Sequence, residues 1–277
     1  MRPTTPLLSI LFLILLLPII ASCANQKQEP TFQQQCTGHG TGLSVAPGES
    51  TKAAILAHEA ASKFSLEQLH EGIGRGDTAA VVELGLRYVN GTNVTQDSDK
   101  ALKYFRAGAD QGNPIGLFYL GTAFSSGVGV PKDDSIAVLF WEQAAQQGYS
   151  LAQYWLGFFI ANGRGGISSN WCAAAPLFES AATDNVTDAA FMLGVMYQDA
   201  KIGAPDYEKA AAWYRKANAI EFNQKAQYNL RLMIDRYQIE WLSGDPGAPP
   251  PPKEWMIPKG ENTPKIELQD NSAANDG

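Results

Sequence analysis

Apolar residues return along the middle of the chain at helical spacing, and the pattern itself recurs. Leu84, Leu120, Leu156, Leu193 and Leu230 are separated by 36, 36, 37 and 37 residues. Four positions before each stands a small residue (Ala80, Gly116, Ala152, Ala189, Ala226), and four positions after each stand Tyr88, Phe124, Ile160, Tyr197 and Ile234. A spacing of four keeps all three positions on one helix face. Gly85, Gly121, Gly157 and Gly194 directly follow the first four leucines. A glycine inside a helix costs about 1 kcal/mol relative to alanine, so close approach of a neighbouring helix is the expected reason for it. The pattern predicts a first helix in every unit.

A second helix follows in each of the first four units. Gly91, Gly127 to Gly129, Gly163 to Gly166, and Gly203 after Ala200 suit the turn between the two helices, because they can take the positive φ of a helix C-cap. Asp97, Asp133, Asn170 and Asp206 then stand where a side chain can accept hydrogen bonds from the first exposed amides. Ala101, Ala137, Ala174 and Ala210 recur next. They are followed three and four residues later by Tyr104-Phe105, Phe140-Trp141, Leu177-Phe178 and Trp213-Tyr214, which should close the core from the other side. The copy from Pro114 to Gly148 is the most regular.

The stretches LGTAFSSGVGVPKDDSIAVLFWEQAAQQG and LGVMYQDAKIGAPDYEKAAAWYRKA resemble Sel-1-like repeats, a branch of the tetratricopeptide-type arrays. The resemblance runs from Thr78 to Tyr237 as four full repeats and a terminal half. It implies an all-α fold, a right-handed superhelical solenoid of antiparallel helix pairs, whose first helices line a concave surface that holds other proteins. The third repeat departs from the pattern. It has one additional turn residue, Asn170-Trp171-Cys172 where Lys-Ala is usual, and Pro176 within its second helix. Proline there weakens or kinks a helix by roughly 3 kcal/mol unless it lies in the first turn, so local irregularity is expected. Arg231 replaces the glycine in the terminal half.

The ends are of different character. Leu7 to Ile20 is an apolar run behind Arg2, too short to span a bilayer comfortably and suited to an export signal. Ile20-Ala21-Ser22-Cys23 resembles a bacterial lipobox. That resemblance implies lipid attachment at Cys23 and, since Ala24 and not Asp follows, residence on the periplasmic face of the outer membrane. A secretory segment that happens to contain a cysteine, or an uncleaved anchor, are the alternatives. The expected organisation is a signal peptide at 1–22, a flexible tether at 23–50, N-terminal capping helices at 51–77, the solenoid at 78–242 and a Pro-rich disordered tail at 243–277.

The six Trp and 45% hydrophobic content support a packed core, and the net charge of −7 argues against nucleic acid as a partner. Removal of Arg2 with the signal lowers the 21 basic residues to 20 against 28 acidic ones, giving −8. Two cysteines remain beyond Cys23. Cys36 and Cys172 could form a disulfide in an oxidising periplasm, or stay as an exposed and a buried thiol.

Candidate chemistry is sparse. His39, His58 and His70 form no HExxH arrangement, Cys36-x-x-His39 has no second ligand pair, and neither a G-x-S-x-G elbow nor a phosphate loop occurs. No metal, cofactor or catalytic residue is therefore expected. Arg75-Gly76-Asp77 reads as the approach to the first repeat.

Candidate binding residues lie one before and three after the key leucines, at Tyr119, Trp155 with Phe159, and Met192 with Met196, together with Trp171. These residue types are enriched in binding patches, although completion of the inter-repeat core would use them equally. The expected function is that of a non-catalytic, membrane-anchored periplasmic protein that binds another protein. By resemblance, the narrower reading is an immunity protein neutralising a phospholipase effector of type VI secretion. An envelope scaffold for secretion or cell-wall machinery and a histidine-dependent enzyme are the alternatives.

Overall fold

The computed structural model describes residues 49–237, and in that range the chain is all helical. The helices are α1 (Glu49–Ala61), α2 (Leu66–Gly74), α3 (Thr78–Asn90), α4 (Ser98–Asp110), α5 (Pro114–Ser126), α6 (Asp134–Gln146), α7 (Ser150–Asn162), α8 (Trp171–Thr183), α9 (Thr187–Gln198), α10 (Tyr207–Ile220) and α11 (Gln224–Tyr237). Each helix from α3 onward packs mainly on its sequence neighbours, as in a solenoid. The pairs α3/α4, α5/α6, α7/α8 and α9/α10 are the four repeats, and α11 is the terminal half. The segments expected at 1–22, most of 23–50 and 243–277 lie outside the described residues.

The local chemistry of the helix ends follows the sequence. Asp97, Asp133, Asn170 and Asp206 are the N-caps of the second helices, each accepting from backbone amides two or three residues on. Gly91, Gly127 and Gly163 end α3, α5 and α7 in the left-handed region, at φ 69°, 75° and 68°. In the fourth repeat Ala200 takes this conformation at φ 56°.

The five key leucines are all buried, at 0 to 5% exposure. The glycines after them explain themselves by contact. A Cβ on Gly85, Gly121, Gly157 or Gly194 would stand 2.8, 2.9, 3.1 or 2.4 Å from a ring carbon of Phe105, Trp141, Phe178 or Tyr214. Each repeat therefore stacks an aromatic ring of its second helix directly on the backbone of its first.

Pro176 does not break α8, which runs unbroken from Trp171 to Thr183. Ala173, Ala174, Ala175, Leu177 and Phe178 around it are 2% exposed or less. Burying one Leu or Phe stabilises by about 1.5–3 kcal/mol, so Leu177 and Phe178 together offset the roughly 3 kcal/mol lost with one backbone hydrogen bond and the ring clash. The irregularity of the third repeat sits in its turn instead. Gly163, Gly165 and Gly166 all have positive φ, Arg164 donates to Asp134 Oδ2 of α6 at 2.8 Å, and the Arg164 guanidinium lies 4.2 Å over the Phe159 ring.

The capping segment divides its work. α2 covers the end of the solenoid, with Leu69 packed in one cluster with Ala79, Ala80 and Leu84. α1 instead lies along the row of first helices, packed on α3 and touching α5. Its Thr51 hydroxyl donates to the Gln147 carbonyl at the end of α6.

Candidate binding face on the first helices

The first helices present the side opposite their glycines through the positions five before, one before and two after the key leucine. In α3 and α5 this side is largely covered. Ala79 and Ile115, both five before the leucine, are each 2% exposed. His58 of α1 comes within 4.0 Å of Glu83, which is salt-bridged to Arg87 at 2.8 Å. Arg87 also donates to the carbonyls of Ser62 and Phe64, tying the α1–α2 turn to α3. Burial lowers the pKa of His58, against the opposing pull of Glu83 and Glu59.

Among the described residues the covering stops from α7 onward. Leu151, the equivalent of Ile115, is 37% exposed. Tyr154, Trp155, Phe158, Met192 and Val195 are half-buried, with their inner edges in the core and their outer edges in solvent. The aromatic members support one another. Trp155 stacks on Trp141 at 5.7 Å, and Tyr154 and Phe158 meet it edge-on at 5.5 and 5.9 Å. The Tyr154 hydroxyl has its pKa pushed up to about 12 by burial and by the charge of Asp188. An open cleft runs beside this face at the N-terminal ends of α7, α9 and α11, lined by Leu151, Asp184 to Asp188 and Glu221 to Asn223, with the Phe222 ring 59% exposed.

The sequence-derived binding residues divide between surface and core. Tyr119, Trp155, Trp171 and Met192 are half-buried. Phe159 and Met196 have 0% exposure and belong to the core, which corrects their assignment as contact residues. The position three after the leucine points at the preceding repeat, where the Phe159 ring meets Trp141 edge-on at 4.8 Å. Tyr119 stacks on Phe105 at 5.0 Å beside the part of the row that α1 occupies. Trp171 carries Lys201 5.4 Å over its ring. Tyr154, Phe158, Leu151 and Val195 escaped the sequence reading, and extending the same register to five before and two before and after the leucine would have found them.

Cys172 is disulfide-bonded. Cys23, Cys36 and His39 lie outside the described residues. His70 is exposed, with Nδ1 2.7 Å from the Leu66 carbonyl. Among the described residues no three His, Cys, Asp or Glu side chains gather closely enough to hold a metal ion, and no helix is long and apolar enough to cross a membrane.

Four segments, residues 78–113, 114–149, 150–175 and 187–219, match the family model described as Sel1 repeat. The third match stops just before Pro176, although α8 continues beyond it. Two solved structures are among those similar to this chain. One is a protective antigen of uropathogenic Escherichia coli displaying an SLR fold, at 26% identity and a TM-score of 0.56, covering 61% of this chain and 36% of the antigen. The other is a Sel1 repeat protein from Oxalobacter formigenes, at 29% identity and a TM-score of 0.55, covering 61% of this chain and 48% of that one. The chain thus spans between a third and a half of the length of these two relatives. An immunity protein of Pseudomonas aeruginosa also matches, at 21% identity over 66% of this chain and 71% of its own; its TM-score of 0.43 is too low to transfer any property. Comparison with curated proteins gives no match.

Proposed function

We propose that this chain, four segments of which match the Sel1 repeat, works by holding another protein against the first-helix face of α7 and α9. The observation that carries this reading is the change in burial along one row. The same register position passes from 2% exposure at Ile115 to 37% at Leu151, and the aromatic and methionine residues around Leu151 are packed on one side and open on the other. Half-buried Trp, Tyr and Met on a rigid helical platform are the composition of binding hot spots. The net charge of −7 favours a neutral or basic partner surface.

The address belongs to the same proposal. Lipidation at Cys23 would place the solenoid at the periplasmic face of the outer membrane, with the sequence before Thr51 as its tether. Within that address, the narrower reading is an immunity protein that neutralises a phospholipase effector delivered by type VI secretion, and it rests on the resemblance of sequence alone.

The test is capture from native cells by the lipid-anchored protein, compared with its Phe158→Ala and Leu151→Glu variants. The expected result is one co-purifying protein that both variants lose while their melting temperatures stay within a few degrees. Capture that is indifferent to both substitutions would overturn the choice of face. If the narrower reading holds, deleting the gene permits killing by sibling cells that carry the effector, and restoring it prevents killing.

A further inference from the structure

The turns that lead into α3, α5, α7, α9 and α11 hold equivalent positions along the array. The residue capping the preceding helix is Arg75, Gln111 and Gln147, then Asp184 and Glu221. The next is Gly76, Gly112 and Gly148, all at positive φ, then Asn185 at φ 63° and finally Phe222. Five positions before the key leucine stand Ala79, Ile115 and Leu151, then Asp188. The first three turns keep one pattern, and the last two abandon it at three positions. The replacing residues, Asp184, Asn185, Asp188, Glu221 and Phe222, all line the open cleft of about 580 Å³ beside Leu151.

The fold gives no reason for this concentration. A glycine serves at the equivalent of residue 222 in three earlier turns, yet here a phenyl ring stands 59% exposed. Asp184, Asp188 and Glu221 are exposed, and among the described residues their carboxylates make no ion pair. The dipole of α9 favours Asp188 in its first turn, but it accounts for neither the ring nor the other two acids. No lysine, arginine or histidine lines the cleft. It is an apolar hollow of Leu151, Val186 and Phe222 with three uncompensated negative charges, continuous through Leu151 with the face of Tyr154, Trp155 and Phe158.

We propose that the cleft receives an arginine side chain of the partner protein, on a segment whose apolar residues run on over Leu151 and Phe158. This deepens the partner-holding reading and rests on it. Arginine meets each feature of the site. Its planar fork pairs with carboxylates through two parallel hydrogen bonds, its guanidinium face lies against an aromatic ring such as Phe222, and its stem packs along apolar side chains. A bound cation also relieves the mutual repulsion of three carboxylates around one hollow. Lysine offers the charge without the planar fork, so the cleft discriminates between the two.

The probe is a phage-displayed library of random dodecapeptides, selected on the immobilised full-chain protein with no native partner present. Selected peptides should be enriched in arginine beside apolar residues. A selected peptide, once synthesised, should bind at least tenfold more weakly to the Asp188→Asn/Glu221→Gln double variant and to Phe222→Ala, both melting within a few degrees of the parent. Replacing its arginine by lysine should weaken it severalfold. No selection, selection without arginine, or binding indifferent to both variants would overturn the proposal. So would a dimer of the protein alone that the double variant dissolves, which assigns the cleft to a second copy. A carbodiimide cross-link from Asp188 or Glu221 to a lysine of the same chain would assign it to the chain itself, with the same consequence. In capture from native cells, loss with Phe158→Ala but retention with the double variant would remove the arginine contact and leave the partner-holding reading standing.

Discussion

Tyr214 of α10 lies flat against Gly194 of α9, so close that a Cβ on residue 194 would stand 2.4 Å from its ring. The phenol is further fixed by donating to Gln198 Oε1 at 2.7 Å and accepting from Asn229 Nδ2 at 3.0 Å. Gly194→Ala is expected to destabilise by about 1–3 kcal/mol net, because overpacking exceeds the gain of roughly 1 kcal/mol in helix propensity. Gly157→Ala, whose Cβ would meet Phe178 at 3.1 Å, should be much closer to neutral. Thermal melts of the two variants give the comparison; equal losses would show that ring contact is not what requires glycine.

Gln153 is 0% exposed, yet its Oε1 has no hydrogen-bond partner and its Nε2 reaches only a 3.4 Å contact to the Ala145 carbonyl. The equivalent residue one repeat earlier is Leu117. Gln153→Leu removes an unsatisfied buried acceptor at similar volume and should stabilise by about 1 kcal/mol, raising the midpoint of denaturant unfolding at unchanged slope.

Ala200 holds a left-handed φ of 56° in the turn where the earlier repeats use glycine. That conformation costs a residue with a Cβ roughly 1–2 kcal/mol. Ala200→Gly should therefore raise the melting temperature, although the same substitution in a helix would lower it. A fall would mean that the turn is held by contacts of the Ala200 methyl group.

How much of this was legible in the residues depends on whether a feature repeats. The register of Leu84 to Leu230, the Asp and Asn caps and the stacking of rings on glycines recur four or five times, and periodicity alone placed them. Phe159 and Met196 were misjudged because the position three after the leucine faces the preceding repeat, a three-dimensional neighbour that linear spacing does not display. Pro176 was judged by its intrinsic helix preference, which the burial of its neighbours overrides. The lie of α1 over α3 and α5 could not be read at all. It depends on single long-range contacts, His58 with Glu83 and Thr51 with Gln147, that belong to no repeated pattern.

The docking of α1 should respond to pH through His58. Its pKa is lowered in the folded protein from the usual 6.5, because burial disfavours the charged ring more than Glu83 and Glu59 favour it. The folded state thus prefers the neutral imidazole. This contribution to stability is fully present above pH 6.5 and is lost as the pH falls below that value towards the lowered pKa. Hydrogen exchange in residues 51–61 should accelerate between pH 7 and pH 5, after correction for intrinsic rates, and His58→Gln should flatten that acceleration. The same pH response in the variant would assign it to the neighbouring carboxylates.

In an array whose helices touch only their neighbours, melting can start at either end and advance one repeat at a time. α1 violates that rule. By touching α3, α5 and the end of α6 at once, it binds the first two repeats into a single cooperative block. Among the described residues the C-terminal end has no such brace, and α11 packs on α10 with only a minor contact to α9. Unravelling under mild stress should therefore begin at α11 and proceed inwards. The turn at Gly163 to Ser169, latched onto α6 through Arg164 and Asp134, is the first barrier in its path. The protein would then shed its fourth repeat while the N-terminal half remains folded.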